Sequence, residues 1–478
     1  MYSAHDTSIN SRFSVAIVGG GFSGATLAAH LLQLAGPSLS IVLIERAPFR
    51  ARGIAYATQE SRHLLNVPAS NMSAFADDPQ HFLSWARSNF DSGVQNGDFL
   101  SRRLYGQYVE SVLDTAISRR RGEFQWRHGE VVGLRTQTGT TELVLRNGDK
   151  ILAAAVVLAL GNFPPADLRL PGKAAHSERY LSDPWSPVAP EKTPVDGEVL
   201  LVGSGLTSVD TLLTLRARGF RGRIHMLSRH GLLPQSHLPD SGYSTFKNFA
   251  SSGTAIGLLR VVRAQVREAE LRGEGWRSAV DSLRTATQGI WQTLPRIEQE
   301  RFLRHLRAYW EVHRHRVAPE IGKVLKHQLL GGQLRVHAGR IVEYRENTNN
   351  VLVTFNERHR GTRRQMTVDL VVNCTGPVSD IRKANTRMLG DCLRQGLVRP
   401  DALSLGIDSA HDGAVINANG IASECLYTVG PLRKGNLWET IAVPEIRAQV
   451  ADLASMLVNK HRSRQNFTTL MTETVRYV

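Results

Sequence analysis

The chain has 478 residues, of which 42% are hydrophobic and 21% are charged, a composition typical of a globular protein with two or three domains. Its formal net charge is +15, but the arginines are spread along the chain, which favours a basic solvated surface over a nucleic-acid-binding protein. No apolar run approaches the roughly 20 residues of a membrane helix, and residues 1–12 lack the apolar core of a signal peptide, so we expect a cytoplasmic protein with no membrane partner.

The first predicted element is a strand that begins at Phe13 and is apolar throughout, as in a parallel sheet buried on both faces. It runs into a G-x-G-x-x-G turn made by Gly19, Gly21 and Gly24. The first glycine allows the tight bend, the second lets a pyrophosphate approach the backbone, and the third brings the next helix close to the strand. That helix, predicted at about residues 23–34, points its N-terminus at the phosphates.

The second predicted strand, residues 41–45, ends in Glu45, about 20 residues after the last glycine, the spacing at which a carboxylate binds a ribose hydroxyl. Strand, turn, helix, strand and terminal acid therefore occur in the order of a dinucleotide-binding unit. The sequence predicts an adenine dinucleotide as the cofactor of this unit.

The stretch of residues 62–75 is too rich in Asn, Ser and Pro for a regular element, yet it carries apolar residues throughout. Such irregular segments often line a ligand site, so Asn66 and Met72 are predicted at one. The later strands of residues 124–160 end in a Gly- and Pro-rich cluster that begins at Gly161 and is expected to turn the chain out of the first domain.

A second strand, turn and helix follows, with Gly203 and Gly205 in the first two glycine positions and Ser208 in the third. Its second strand is followed by Ser228 and Arg229, so no carboxylate stands where Glu45 stood. A guanidinium can bind a phosphate with two parallel hydrogen bonds, which predicts NADPH rather than NADH. The alternative is a solvent-exposed arginine at a strand end.

Residues 254–330 show helical periodicity, and the strand that ends before Gly376 suggests a return to the first domain. We therefore predict an α/β fold with two Rossmann-like dinucleotide-binding domains, the second inserted in the first, plus a helical segment. The predicted boundaries are 13–170 for the first part of the FAD-binding domain, 195–365 for the NAD(P)H-binding domain including the helical insert, and 366–478 for the return and a C-terminal helix.

Neither a disulfide nor a metal site is predicted. The three cysteines, Cys374, Cys392 and Cys425, lie far apart without a C-x-x-C pair, which excludes a vicinal dithiol. The histidines of residues 305–315 lack H-E-x-x-H spacing and any cysteine partner.

This arrangement resembles the two-dinucleotide-binding-domain flavoproteins, and more narrowly the uncharacterised bacterial FAD/NAD(P)-binding proteins. The narrower resemblance rests on residues 62–75, 78–85, 309–319 and 430–447. It implies FAD in the first unit and NAD(P)H in the second. The cofactor contacts then expected are Gly19, Gly21, Phe22, Ser23, Gly24, Glu45, Arg46, Asn66, Met72, Gly161, Gly203, Gly205, Ser208, Arg229, Gly376, Gly430, Thr440 and Ile441.

The linker also resembles the F-x-G-x-x-x-H-x-x-x-(Y/W) fingerprint of flavin monooxygenases of the N-hydroxylating and Baeyer–Villiger type. Gly172, His176 and Tyr180 match it, while Leu170 replaces the phenylalanine; the alternative is a linker whose His and Tyr are surface residues. The resemblance implies an FAD-dependent NADPH monooxygenase in which a flavin peroxide, formed with molecular oxygen, oxygenates a small molecule. Asn66 and His176 are the predicted catalytic residues of that shielded site.

Two alternatives remain open from the sequence. The first is an NAD(P)H-flavin reductase or dehydrogenase that does not incorporate oxygen. The second is a non-catalytic dinucleotide-binding redox sensor, because a fold does not determine a function.

Overall fold

The computed structural model describes residues 11–137, 139–173, 177–186, 194–238 and 253–476. The chain divides into two compact units. The first unit comprises the described residues up to Gln59, together with Pro68–Phe163 and those from Ser379 onwards. The second unit comprises Glu60–Val67 and the described residues of Pro164–Val378.

The strands in chain order are β1 Ser11–Val18, β2 Ser40–Glu45, β3 Glu123–His128, β4 Val131–Gln137, β5 Thr140–Leu145, β6 Lys150–Leu158, β7 Tyr180–Leu181, β8 Glu198–Val202, β9 Arg223–Ser228, β10 Leu334–Glu346, β11 Val351–Glu357, β12 Arg363–Val368, β13 Leu370–Asn373, β14 Ala414–Ile416 and β15 Ala422–Thr428. The α-helices are α1 Phe22–Leu34, α2 Gly53–Tyr56, α3 His81–Asn89, α4 Arg102–Ser118, α5 Leu206–Ala217, α6 Ala255–Leu271, α7 Gly275–Ser282, α8 Arg284–Thr293, α9 Arg296–His305, α10 Arg307–Arg314, α11 Pro319–Leu330, α12 Arg387–Arg394, α13 Lys434–Leu437 and α14 Val443–Arg476.

The sheet of the first unit has the order β14-β15-β6-β1-β2-β3. The five strands from β15 to β3 are parallel to one another, and β14 runs antiparallel to β15. The hairpin of β4 and β5 attaches antiparallel to β6. Because β1 lies inside the sheet and the turn follows its carboxyl end, the glycine turn lies at the edge where parallel sheets bind ligands.

Burial of β1 and α1 follows from their sequences. Ala16 and Ile17 in β1 are completely buried, as the unbroken apolar run predicts. Helix α1 is buried on nearly every side, from Phe22 to Leu32, because the small residues 23–26 near its start let it lie close to the sheet. This compact contact positions the helix N-terminus at the end of β1.

The sheet of the second unit has the order β12-β11-β10-β9-β8-β13-β7. Strands β10, β9, β8, β13 and β7 are parallel, while β11 and β12 continue the sheet as antiparallel strands. Helices α6 to α11 lie between β9 and β10 in the chain, where the sequence predicts the helical segment.

The unit boundaries differ from the predicted domain boundaries in three places. The first unit stops at Phe163 instead of continuing to residue 170, and Glu60–Val67 belongs to the second unit. Strand β13, which lies within the predicted return at 366–478, instead pairs with β8 in the second sheet. The return therefore begins at Ser379. An apolar strand pattern indicates burial but does not state which sheet buries it.

The predicted fold class is confirmed. Two parallel-stranded sheets each carry the strand, glycine turn and helix of a dinucleotide-binding unit, and the segment of the second unit is inserted in that of the first.

Candidate functional site

The first glycine turn is held together by close backbone contacts. Gly19 has a φ of +104°, and a Cβ there would lie 2.4 Å from the carbonyl oxygen of Ala159. A Cβ on Gly24 would lie 1.9 Å from the carbonyl oxygen of Gly19. The nearest atom to a Cβ on Gly21 is the Cα of Gly53 at 3.4 Å, an ordinary contact. The first and third glycines are therefore required by packing, whereas the second keeps a backbone surface clear for a ligand.

Glu45 is held beside this turn by two backbone amides. Its Oε2 accepts a hydrogen bond from the N–H of Gly20 at 2.6 Å, and its Oε1 accepts one from the N–H of Ala47 at 2.8 Å. Arg46 is exposed, and its carbonyl oxygen lies 3.1 Å from Nε2 of His128. The carboxylate is thus fixed at the end of β2, and each of its oxygens retains lone pairs for a further donor such as a ribose hydroxyl.

The start of α1 meets the C-terminal part of the chain. Ser23 is buried, and a Cβ on Gly430 would lie 2.6 Å from its hydroxyl oxygen. Gly430 has a φ of +81°, which only glycine adopts readily. Phe22 packs against the rings of Tyr56 and Tyr105, with ring centroids 6.4 Å and 6.0 Å away. The structure therefore brings Gly430 next to Phe22 and Ser23, although more than 400 residues separate them in the sequence.

A ring of hydrogen bonds closes the segment that follows Gly430. The hydroxyl of Thr440 donates to the carbonyl oxygen of Gly430 at 2.9 Å. Nε2 of Gln449 donates to that hydroxyl oxygen at 2.7 Å, and its Oε1 accepts from the N–H of Gly430 at 3.3 Å. Thr440 is completely buried, and Ile441 is 37% exposed. The hydroxyl of Thr440 therefore shapes the loop, and Ile441 is the side chain at its surface.

Trp438 lies in this loop with an unusual backbone. Its φ and ψ are 60° and −68°, and the N–H of Glu439 donates to the carbonyl oxygen of Leu437 at 2.8 Å. These values describe a γ-turn of the rare, strained type. The side chain is 4% exposed, with the ammonium of Lys434 4.8 Å from the ring centroid. Packing of the indole supports a backbone conformation that costs about 1–3 kcal/mol.

An aromatic cluster in the first unit was not predicted from the sequence. Tyr105 and Tyr108 on α4 are completely buried, and burial is the main cause that raises the pKa of both phenols. The hydroxyl of Tyr108 accepts from the N–H of Ala74 at 3.0 Å.

Two further predicted contacts lie in the first unit. Met72, predicted to line the ligand site, is 2% exposed, and Gly161 has a φ of +66° with open space where a Cβ would stand.

The second glycine turn repeats the first with one difference. A Cβ on Gly203, whose φ is +124°, would lie 2.3 Å from the carbonyl oxygen of Cys374, and a Cβ on Gly205 would meet nothing within 4 Å. Ser208 is completely buried, and its hydroxyl oxygen lies 3.4 Å from the Cβ position of Gly203. The second unit therefore accommodates a small side chain where the first permits only hydrogen. Gly376 has a φ of +85° and open space around it.

The end of β9 carries hydroxyls and guanidiniums in place of a carboxylate. The hydroxyl oxygens of Ser204 and Ser228 lie 2.8 Å apart, so Ser228 contacts the residue after the first glycine of its turn, as Glu45 contacts Gly20. Arg229 is exposed, and Nη1 of Arg358 donates to its carbonyl oxygen at 3.3 Å. Arg358 was not predicted, because it arrives from β11 across the sheet.

The pKa of His230 is affected by the positive potential at this strand end. Burial lowers the pKa of His230, and the charges of Arg358 and Arg229 lower it further. Its ring lies 5.6 Å from that of Tyr309. A neutral imidazole beside two exposed guanidiniums and an aromatic ring forms a site suited to a phosphate monoester.

Of the two predicted catalytic residues, Asn66 lies within the described part of the chain. Asn66 lies in the second unit, where its backbone carbonyl oxygen is 3.1 Å from Nε2 of His237. His63 anchors the same segment, with its Nε2 3.0 Å from the carbonyl oxygen of Asp210 and 3.0 Å from the hydroxyl of Thr214. His176 lies outside the described residues.

Within the described ranges, no group of three or more His, Cys, Asp or Glu side chains is placed to bind a metal ion. No helix in that part of the chain combines the length and the apolar character needed to cross a membrane.

Comparison with known proteins agrees with the geometry of the first unit. Residues 16–163 match a family model described as FAD-NAD(P)-binding. This span contains the end of β1, the first glycine turn and Glu45, and it ends where the first unit is interrupted. A search of curated protein sequences found no significant match.

Solved structures share the fold over nearly the whole chain. The ornithine N-hydroxylase of Kutzneria sp. 744 has a TM-score of 0.60 and 15% identity, covering 94% of this chain and 100% of that one. The L-lysine 6-monooxygenase of Pseudomonas syringae has a TM-score of 0.63 and 16% identity, covering 93% and 99%. The bacillithiol disulfide reductase of Bacillus cereus has a TM-score of 0.53 and 15% identity, covering 94% and 100%. The chain therefore has the two-unit fold of these enzymes.

Proposed function

We propose that this protein is an FAD-dependent NADPH oxidoreductase, and specifically a monooxygenase that uses molecular oxygen to oxygenate a small molecule. The observation that carries the proposal is a chemical difference between two similar turns. The first is followed by a carboxylate fixed by two amides, at Glu45. At the corresponding strand end of the second unit lie Ser228 and Arg229, and Nη1 of Arg358 donates to the carbonyl oxygen of Arg229.

The first unit fits FAD. The clear face of Gly21 and the N-terminus of α1 would hold the pyrophosphate, and Glu45 would bind the ribose of the adenosine. Gly430 lies against the first turn of α1, so the loop from Gly430 to Ile441 continues from the same end of the helix. Bound FAD supplies the hydride acceptor and the group that activates oxygen.

The second unit fits NADPH. The turn of Gly203 and Gly205 would hold the pyrophosphate, with Ser208 packing the helix behind it. Arg229 and Arg358 would bind the 2′-phosphate, which NADH lacks. Both arginines are exposed, so the phosphate could reach them without displacing a packed side chain.

The oxygenase part of the proposal is supported by the shared fold of the amine hydroxylases. Two of the enzymes that share this fold are an ornithine N-hydroxylase and an L-lysine 6-monooxygenase, which makes amines the first substrate class to test. Asn66 and His176 remain predicted members of the shielded site, and Arg46 and Met72 remain predicted FAD contacts. The cytoplasmic location stays a prediction as well.

A reductase without oxygenation is the second candidate, because the bacillithiol disulfide reductase shares the fold over 94% of this chain. The cysteines of this chain argue against thiol chemistry of its own. Cys374, Cys392 and Cys425 are buried free thiols, and burial raises the pKa of Cys374 and of Cys392 to about 12. Thiols that stay protonated at neutral pH are poor nucleophiles.

The decisive experiment is an anaerobic titration of the FAD-loaded protein with NADPH and with NADH, followed by aerobic turnover with L-ornithine, L-lysine and cadaverine under ¹⁸O₂. We expect flavin bleaching by NADPH at lower concentration than by NADH, and ¹⁸O in a hydroxylated product. Flavin reduction with oxygen recovered only as hydrogen peroxide for every amine would favour the reductase. Failure to bind FAD would contradict the proposal entirely.

A further inference from the structure

One buried arginine of the second unit has more hydrogen-bond donors than partners. Arg316, which follows α10, is 2% exposed. Its Nη2 donates to Oδ1 of Asp281, while its Nε and Nη1 have no hydrogen-bond partner in the described part of the chain. Buried guanidiniums are normally paired and hydrogen-bonded, because a buried donor on a charged group is costly when it has no acceptor. An acceptor that binds these remaining N–H groups would therefore stabilise the folded protein.

A second guanidinium lies in the same cluster. Nε of Arg277 donates to the carbonyl oxygen of Ser236 at 2.8 Å. The guanidinium carbon of Arg277 lies 4.4 Å from the ring centroid of Trp276, and that of Arg316 lies 5.9 Å from the same centroid. Burial lowers the pKa of Arg277, and the charge of Arg316 lowers it further. The two cations thus repel each other near one indole ring, and Asp281 is a carboxylate that attracts both.

The neighbouring histidine adds no further positive charge. Nε2 of His237 lies 3.1 Å from the carbonyl oxygen of Asn66, so this nitrogen carries the proton and donates. Burial lowers the pKa of His237 to about 4, and the charge of Arg316 contributes to the shift. The imidazole is therefore neutral at pH 7. The arginines of this cluster therefore outnumber Asp281, the carboxylate that partners Arg316.

We infer that Arg316 and Arg277 form a binding site for the carboxylate of a small organic acid. A carboxylate offers two oxygens with about four lone-pair directions, which suits the open Nε and Nη1 donors of Arg316. Its negative charge is attracted by both guanidiniums. The indole of Trp276 supplies an apolar surface for the body of the acid, since aromatic rings pack against both arginines and carbon chains.

The site has a structural connection to the predicted ligand-lining segment. Ser236, whose carbonyl oxygen binds Arg277, is followed directly by His237, which holds the backbone of Asn66. An acid bound at Arg316 would lie beside the same short loop that fixes this segment. The inference concerns binding alone and does not depend on oxygenation.

The test is a titration of the full-length protein with sodium benzoate and sodium butyrate at constant ionic strength, read by tryptophan fluorescence and by thermal melting. We expect saturable binding with a fluorescence change that the Trp276→Phe variant loses. Arg316→Gln should weaken binding at least tenfold, and Arg277→Gln should weaken it several-fold while leaving the pair of Arg316 and Asp281 intact. Asp281→Asn should tighten binding, because it removes the carboxylate that competes for Arg316.

Arg272→Gln is the matched control, because this arginine is exposed and paired with Glu268 and Glu274. If Arg316→Gln fails to fold, the double variant Arg316→Gln/Asp281→Asn removes both charges and replaces it. Three outcomes would overturn the inference. The first is no saturable binding of either acid, and the second is equal affinity in wild type and in the Arg316 and Arg277 variants. The third is weaker binding by Asp281→Asn. Tighter binding of inorganic phosphate than of both acids would overturn the assignment to a carboxylate.

Discussion

Replacing Gly21 with alanine separates ligand binding at the first glycine turn from folding. Gly21 has a φ of −71°, which alanine adopts readily. The added Cβ would meet its nearest neighbour, the Cα of Gly53, at an ordinary distance of 3.4 Å. The stability of the protein without cofactor should therefore change by no more than about 0.5 kcal/mol, as for substitutions away from packed features. The methyl group would instead occupy the face that a pyrophosphate must approach.

Gly24→Ala is the matched comparison. Its Cβ would lie 1.9 Å from the carbonyl oxygen of Gly19, and two backbone elements would have to separate by about 1 Å to accept it. Overpacking of this kind costs about 1–3 kcal/mol, or roughly 2–12 °C of melting temperature for a unit of this size. Gly24→Ala should lose stability even without cofactor, whereas Gly21→Ala should not.

The assay combines isothermal titration with FAD and thermal melting of the protein without cofactor. We expect Gly21→Ala to weaken FAD binding at least tenfold, which is about 1.4 kcal/mol, at unchanged melting temperature. Unchanged FAD affinity would show that the pyrophosphate does not pass over Gly21. An unchanged melting temperature for Gly24→Ala would refute the packing argument.

The remaining predictions concern coenzyme choice, pH and coupling. Arg229→Ala and Arg358→Ala should each weaken NADPH binding about tenfold or more and leave NADH binding unchanged; equal losses for both coenzymes would contradict a 2′-phosphate site. The pKa of His337 is lowered to about 4 and that of His225 is lowered as well, in each case mainly by burial. Because the folded protein keeps His337 neutral while the unfolded chain takes up a proton, the free energy of unfolding is at its full value above pH 6.5 and decreases as the pH falls towards 4. The decrease is up to about 1.4 kcal/mol per pH unit for this proton, and the lowered pKa of His225 acts in the same direction. In chemical denaturation across this range, His337→Gln should show a shallower pH dependence than wild type, and an identical slope would contradict this origin. His176→Ala should raise the fraction of NADPH oxidation that ends as hydrogen peroxide, and unchanged coupling would remove this residue from the shielded site.

The two glycine turns were predictable because all the information is local. Strand, glycines, helix and strand-end residue follow one another within about 30 residues, as in Gly19 to Glu45. The placement of β13 was not predictable on the same grounds. Its apolar residues would be equally buried in either sheet, and only its pairing with β8 determines which unit it joins.

The rest of the candidate site depends on contacts between distant parts of the chain. The sequence shows that Ser228 stands where a carboxylate would be expected. Its contact with Ser204 and the approach of Arg358 could not be predicted, because they require the sheet to be formed. The γ-turn at Trp438 has no sequence signal, because positive φ is normally marked by glycine or asparagine. Only the packed indole makes that backbone tolerable.

The same distinction applies to the net charge of +15. Counting charges suggested a solvated basic surface, and Arg272 fits that description, because it is exposed and bound to two glutamates. An arginine that is hydrated at the surface needs no protein partner, so its presence does not indicate a ligand site. Arg316 is 2% exposed, so each of its N–H groups must find an acceptor or raise the free energy of the fold. A count of residues does not reveal burial. Burial therefore distinguishes Arg316, a candidate binding group, from the many arginines that are hydrated at the surface.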